Sequence, residues 1–221
     1  SMPDEREQFD LVEMVSAFDI DRVSLGGPIF DVDKLTWLNG QWLKHSLTDE
    51  LYQQRLMEWM CSEPFFVSVL PHLKSRIDVF SEAGQWLQPL WAKDVSLSED
   101  ALGALGLEKD VLANVLQFLV WRFESCSTWS REVIEQEIRW VAKAVGLPLK
   151  DVMPLVFVVL SGARQAISAF DLAVLLGPDR TRARVRAGLD VIGGVSKKGA
   201  KRLEKSYQEA LRSIDTELDA N

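Results

Sequence analysis

Apolar side chains recur at three- and four-residue spacing along almost the whole chain, and no window alternates in the two-residue rhythm of a half-buried strand. That period restricts the chain to an all-α fold, because residues patterned for one face of a helix fall on both faces of a strand. The strongest stripe is Val111, Leu112, Val115, Leu116, Leu119, Val120 and Phe123, broad enough for a helix at the centre of a bundle. Trp121 and Trp129 extend the same core. With 47% hydrophobic and 26% charged residues over 221 positions, there is enough apolar surface for a genuine core and too little charge for a disordered tail.

Helix ends are marked by capping residues. Ser130 is placed to cap a helix with Glu132 in its first turn and Ile134, Ile138, Val141 and Val145 on one face, stopping at Gly146 before Leu147 and Pro148. After Pro154 the order is a short helix, a break at Ser161 and Gly162, an irregular loop to Ser168, a short helix from Asp171, a stop at Gly177 and another helix after Asp179. In that last helix Val185, Leu189 and Ile192 share one face, flanked by Arg180 with Arg184 and by Arg182 with Arg186, which predicts solvent-facing arginines. Gly193 and Gly194 end it, and Ser196 caps a mainly polar helix running towards Leu218. At the other end Phe9, Leu11, Met14, Val15 and Phe18 define a short amphipathic helix, followed by a turn at Gly26-Gly27-Pro28. Residues 34–44 then pack Leu35, Trp37, Leu38, Trp42 and Leu43 around Asn39-Gly40.

No apolar run approaches the roughly 20 residues needed to cross a bilayer, and the first residues lack the basic start and apolar centre of a secretory signal. The expectation is a soluble, cytoplasmic monomer with no membrane partner. Cys61 and Cys126 lie far apart, each in a helical pattern, and are expected to be buried thiols. With only His45 and His72 besides, a zinc site lacks ligands, and no metal is expected.

The net charge of −8 disfavours a phosphate-bearing partner on average. The average conceals a gradient: Asp4, Glu5, Glu7, Asp10, Glu13, Asp19 and Asp21 crowd the beginning, whereas Arg180, Arg182, Arg184, Arg186, Lys197, Lys198, Lys201 and Arg202 collect near the end. No serine or cysteine nucleophile with a histidine base, and no glycine-rich phosphate loop between strand and helix, is present. Asp19 with Asp21 and Asp31 with Asp33 sit at turns and helix starts, where capping explains acids. No catalytic or cofactor-binding residue is assigned.

Three stretches carry a family resemblance. Phe18-Asp19-Ile20-Asp21-Arg22-Val23-Ser24, Phe30-Asp31 and Lys34-Leu35-Thr36-Trp37-Leu38-Asn39 resemble the segment after the catalytic domain of bacterial glutamyl-tRNA synthetases. Trp129-Ser130, Val152-Met153-Pro154-Leu155, Leu160-Ser161-Gly162, Phe170-Asp171 and Leu175-Leu176-Gly177 are similar to that family's anticodon-binding end. The resemblance implies a helical bundle in two subdomains, the anticodon-binding helical cage of class I glutamyl-tRNA synthetases. It implies a stem-contact segment over 1–50, a first anticodon-binding subdomain over 51–105, a second over 106–194, and an extension over 195–221. The family's HIGH-like and KLSKR-like motifs, which serve ATP- and Mg-dependent activation of glutamate, are absent. The expectation is therefore a tRNA-binding piece of a glutamate–tRNA ligase, without cofactor and without catalysis of its own, with tRNA(Glu) as partner.

Anticodon bases are single-stranded and are read by stacking and by hydrogen bonds from loops and helix ends. The resemblance places such a loop at Arg164, Ala166, Ile167, Ser168 and Ala169, where short side chains let bases approach the backbone. The other reading of Ile167 and Ala169 is that they simply fill the corner. Where the family often has an arginine after Pro-Leu, this chain has Val156-Phe157-Val158. Arg164, or one of Arg180, Arg182, Arg184 and Arg186, is the expected replacement, with a solvated helix face as the other reading. Leu73-Lys74-Ser75-Arg76 resembles a further family helix near the anticodon, so Arg76 is a candidate for a base or a phosphate. Phe65, Phe66, Trp86 and Trp91 are read as core. On composition alone, a helical protein-interaction domain with no nucleic-acid role stays open.

Overall fold

The computed structural model describes residues 3, 6, 7, 9–22, 26, 30–162 and 167–218, apart from the side chains of 197 and 215–218. The chain divides into two units, 1–63 and 64–221. No strand occurs among the described residues, as the apolar period requires.

The first unit holds α1 (Leu11–Ala17), α2 (Val32–His45) and α3 (Asp49–Cys61). Side-chain caps start each one. Asp10 and Glu13 form a reciprocal capping box on α1, Asp31 accepts from the Lys34 amide, and Thr48 accepts from the Leu51 amide. α2 runs straight through Asn39-Gly40 instead of wrapping around them, and none of α1 to α3 contains a buried residue. Leu38 and Leu43 are half-buried, while Leu35, Trp37 and Trp42 stay exposed. Cys61, expected inside, is exposed at the end of this poorly buried α3, and Cys126 is half-buried; both are free thiols. Of the predicted glycine–proline turn, residues 27 and 28 lie outside the described residues.

The second unit carries the core. After α4 (Glu63–Lys74) and a 3-10 turn at Phe80–Glu82 come α5 (Ala83–Trp91) and the short α6 (Glu99–Gly103). α7 (Lys109–Ser125), α8 (Arg131–Ala144), α9 (Leu149–Ser161) and α10 (Ala169–Val191) then pack together, and α11 (Lys197–Leu218) lies against α8. α7 is central as its broad stripe demands: Val115, Leu116, Leu119 and Phe123 are fully buried between α8 and α10. Each such side chain contributes about 1.5–3 kcal/mol on leaving water. Phe65 meets Phe66 edge-on at 5.5 Å and Trp91 at 6.4 Å, joining α4 to α5 in the core.

The predicted punctuation is visible in the backbone. Ser130 Oγ accepts from the Val133 amide to cap α8, and Gly146 closes it with φ 70°. α9 starts earlier than expected, at Leu149, with Pro154 inside it. α10 is interrupted at Gly177 (φ 77°, ψ 170°) and resumes at Pro178, a residue suited to the first turn of a helix.

Candidate nucleic-acid interface

The corner where α5, α9 and α10 meet is built around two arginines. The last carbonyls of a helix have no partner within it, and here α5 ends at Trp91 with those of Pro89 and Leu90 pointing at α10. Arg180 Nη2 donates to Leu90 O at 2.6 Å and to Ala92 O at 2.8 Å. Arg184 Nη2 donates to Pro89 O at 2.6 Å and Ala92 O at 2.8 Å, and its Nη1 donates to Leu160 O in α9. Two cations thus sit at two helix C-termini, where the macrodipole favours positive charge. Arg184 is only 2% exposed. Burial pulls its pKa down to about 10, Arg180 beside it adds to the lowering and Asp94 opposes it, so it stays charged at neutral pH. Burial also lowers the pKa of Arg180.

The expectation of solvent-facing arginines is therefore corrected for Arg180, Arg182 and Arg184, and holds for Arg186, which is exposed. Arg180 is half-buried and Arg184 buried against α5 and α9, while Arg182 and Arg186 turn to α7. Arg182 Nε donates to Phe123 O at 2.8 Å, and its guanidinium lies 5.7 Å from the Trp129 ring. Arg186 pairs with Glu124. The cause is tertiary: both flanks of this helix abut the ends of other helices, whose free carbonyls attract guanidinium groups.

Gly162 closes α9 with φ 70°, and a Cβ there would stand 3.0 Å from Val95 Cβ. Glycine is required both by the left-handed backbone and by the passage of the 95–96 strand of chain above it. Beyond it, Arg164 and Ala166 lie outside the described residues. Ile167 and Ala169 are fully buried, and Ser168 between them is half-buried, with its carbonyl accepting from the Leu172 amide at 2.7 Å. Phe157 is half-buried and lines a shallow cleft of about 480 Å³ with Met153 and Pro154.

A second cluster forms where α4 passes into α5. Arg76 is exposed, donates through Nη1 to His72 O at 2.8 Å and to Ser75 Oγ at 3.0 Å, and lies 5.7 Å from the Trp86 ring. Four residues on, Phe80 is 93% exposed at the start of the 3-10 turn. Its exposure is not marked in the sequence, where Phe80 stands beside Val79 and three residues after Ile77 as a core residue would. A phenyl ring held in water offers a stacking face to an unpaired base. No group of three or more His, Cys, Asp or Glu side chains able to hold a metal occurs among the described residues. Nor is any helix there long and apolar enough to cross a membrane.

Residues 47–189 match the family model described as the anticodon binding domain. The chain is 42% identical over 207 residues to the glutamate–tRNA ligase of Marinobacter nauticus, covering 94% of this chain and 42% of that protein. It is 39% identical over 220 residues to that of Saccharophagus degradans, covering 100% of this chain and 44% of that one. The chain thus spans about two-fifths of the length of these relatives. Among solved structures, a glutamate tRNA ligase from Elizabethkingia meningosepticum in complex with its amino acid matches 86% of this chain and 38% of its own, with TM-score 0.53 and 20% identity, a likeness of fold.

Proposed function

This chain belongs to the anticodon-binding domain family, and from that premise we propose that it is the tRNA-binding, anticodon-recognising part of a glutamate–tRNA ligase. The observation that carries this reading is identity of about 40%, over nearly the whole chain, to proteins described as glutamate–tRNA ligases. In this reading the parent enzyme attaches glutamate to tRNA(Glu) with ATP and Mg, and this chain supplies recognition without activating glutamate. Residues 1–50 meet the inside of the tRNA's L, and the helical cage of the second unit meets the anticodon.

Within the cage, Arg76 and Phe80 are the side chains best placed to hold an unstacked base, one by hydrogen bonding and the other by stacking. The loop ending at Ser168 and Ala169 contributes backbone groups, since the side chains of Ile167 and Ala169 are turned inwards. Arg180 and Arg182, engaged with carbonyls at the ends of α5 and α7, act as positioning residues for those two helix ends.

Titration of a fluorescent tRNA(Glu) transcript and of a non-cognate transcript at two salt concentrations tests this reading. The expected result is binding that favours tRNA(Glu) and weakens as salt rises, because phosphate contacts release counterions. Absence of binding at low salt contradicts it. ATP–pyrophosphate exchange by this chain is expected to read zero. The alternative, a protein-interaction domain, draws on the exposed Leu11, Val12, Val15 and Phe18 of the first unit and predicts indifference to tRNA.

A further inference from the structure

We propose that the solvent face of α11 is a second polyanion-binding surface, a basic ridge that grips the phosphate backbone of the bound tRNA independently of sequence. The proposal rests on tRNA being the ligand of this chain. It goes beyond the anticodon-binding domain model, which ends at residue 189, whereas α11 begins at Lys197.

α11 is divided along its length. Leu203, Tyr207 and Ile214 are buried. On a helix that turns about 100° per residue, Lys198, Lys201, Arg202, Lys205 and Arg212 fall within an arc of about 100° on the opposite side, and all five are exposed. One acid, Glu209, shares that arc. Residues 197–205 carry five cations and a single acid, in a chain whose total is −8. At a rise of about 1.5 Å per residue the ridge extends for about 21 Å, with a cation roughly every 5 Å. The positive end of the helix dipole, capped by Ser196 accepting from the Gly199 amide at 3.1 Å, adds charge of the same sign at its start.

The ridge is held in place by an aromatic anchor. Tyr207 packs 5.1 Å from Phe118, 5.0 Å from Trp121 and 5.4 Å from Trp140, fixing α11 against α7 and α8. The acids near its cations are loosely paired: Arg202 stands 3.8 Å from Asp110, and Lys205 3.8 Å from Glu209, all four side chains largely exposed. Such exposed pairs contribute little and yield readily to a phosphate. The arc presents no apolar side chain, whereas a protein partner would need aromatic or aliphatic anchors at the centre of its interface. Lysines predominate, as suits contacts that hold phosphates as point charges without reading bases.

The test uses the full chain carrying Lys198→Glu, Lys201→Glu and Lys205→Glu together, titrated with tRNA(Glu) and non-cognate transcripts between about 50 and 200 mM salt. The expected result is affinity at least about tenfold weaker at low salt for both transcripts alike. The slope of log affinity against log salt should fall by about two to three, with the cognate preference unchanged. Near-UV circular dichroism of the Trp121 and Trp140 cluster reports whether α11 stays docked. If the glutamate variant loses that signal, the Lys198→Gln, Lys201→Gln, Lys205→Gln variant decides, with the same change of slope expected. Wild-type-like affinity and slope in a docked variant, while the unsubstituted chain binds tRNA, overturn the ridge and leave the anticodon reading standing. Failure of the unsubstituted chain to bind either transcript removes both.

Discussion

Arg184 joins three segments through one side chain: Pro89 and Ala92 at the end of α5, and Leu160 at the end of α9. Replacing it by methionine keeps much of the volume and strands those carbonyls in a site that excludes water. The expected loss is about 3 kcal/mol or more in urea denaturation, since bonds to charged groups and unsatisfied buried acceptors both weigh heavily. Arg184→Lys is expected to recover only part of it, because one ammonium cannot span the positions that a planar fork reaches. Phe80 predicts the opposite pattern. At 93% exposure it holds nothing together, so Phe80→Ala should leave stability unchanged and weaken tRNA binding by about 1–3 kcal/mol, the usual worth of a base–aromatic stack. Neither role was legible in the sequence. The partners of Arg180 and Arg184 lie 88 to 95 residues away along the chain for the α5 carbonyls, a distance that helical periodicity cannot see. Phe80 is defined by what fails to cover it, which is likewise a property of the fold.

Elements were far easier to anticipate, because their ends depend on neighbours in sequence. Ser130 and Gly146 bound α8 as their capping chemistry dictates, and Ser130→Ala is expected to cost about 1 kcal/mol in thermal or urea unfolding. Gly177 and Pro178 break α10 where the pattern stops. A proline reads as a boundary in the sequence, whereas Pro154 sits inside α9, which begins at Leu149. Glycines show how the same residue type divides by packing. A Cβ on Gly188 would meet Val159 Cγ2 at 2.9 Å, so α10 and α9 approach too closely for a side chain, and Gly188→Ala should destabilise by about 1–3 kcal/mol. Gly40 has nothing within 4 Å, so Gly40→Ala should raise helicity and stabilise α2 by about 0.5–1 kcal/mol. Circular dichroism with urea titration separates the two.

The whole molecule combines a second unit with a well-buried core and a first unit whose helices bury no residue. Its all-α class follows from apolar period alone, and the blocks from Trp129 to Gly177 that resemble an anticodon-binding end lie within the family match over 47–189. The electrostatic layout was only half legible: the basic end of the chain is plain in the sequence, but the fold splits it. Arg180, Arg182 and Arg184 of α10 face inwards to helix ends, whereas Lys198, Lys201 and Lys205 of α11 face water. The proposed recognition of RNA would accordingly be divided between a few base-contacting groups near the α4–α5 turn and the Ser168 loop, and a sequence-blind ridge on α11. The central claim is that this chain reads an anticodon. Fluorescence anisotropy with an isolated anticodon stem-loop of tRNA(Glu), compared at one salt concentration with the same stem carrying substituted anticodon bases, tests it most directly. The account predicts that each substitution weakens binding by about 1–3 kcal/mol, the worth of one stacked base. Equal affinity for the original and the substituted loops would contradict it.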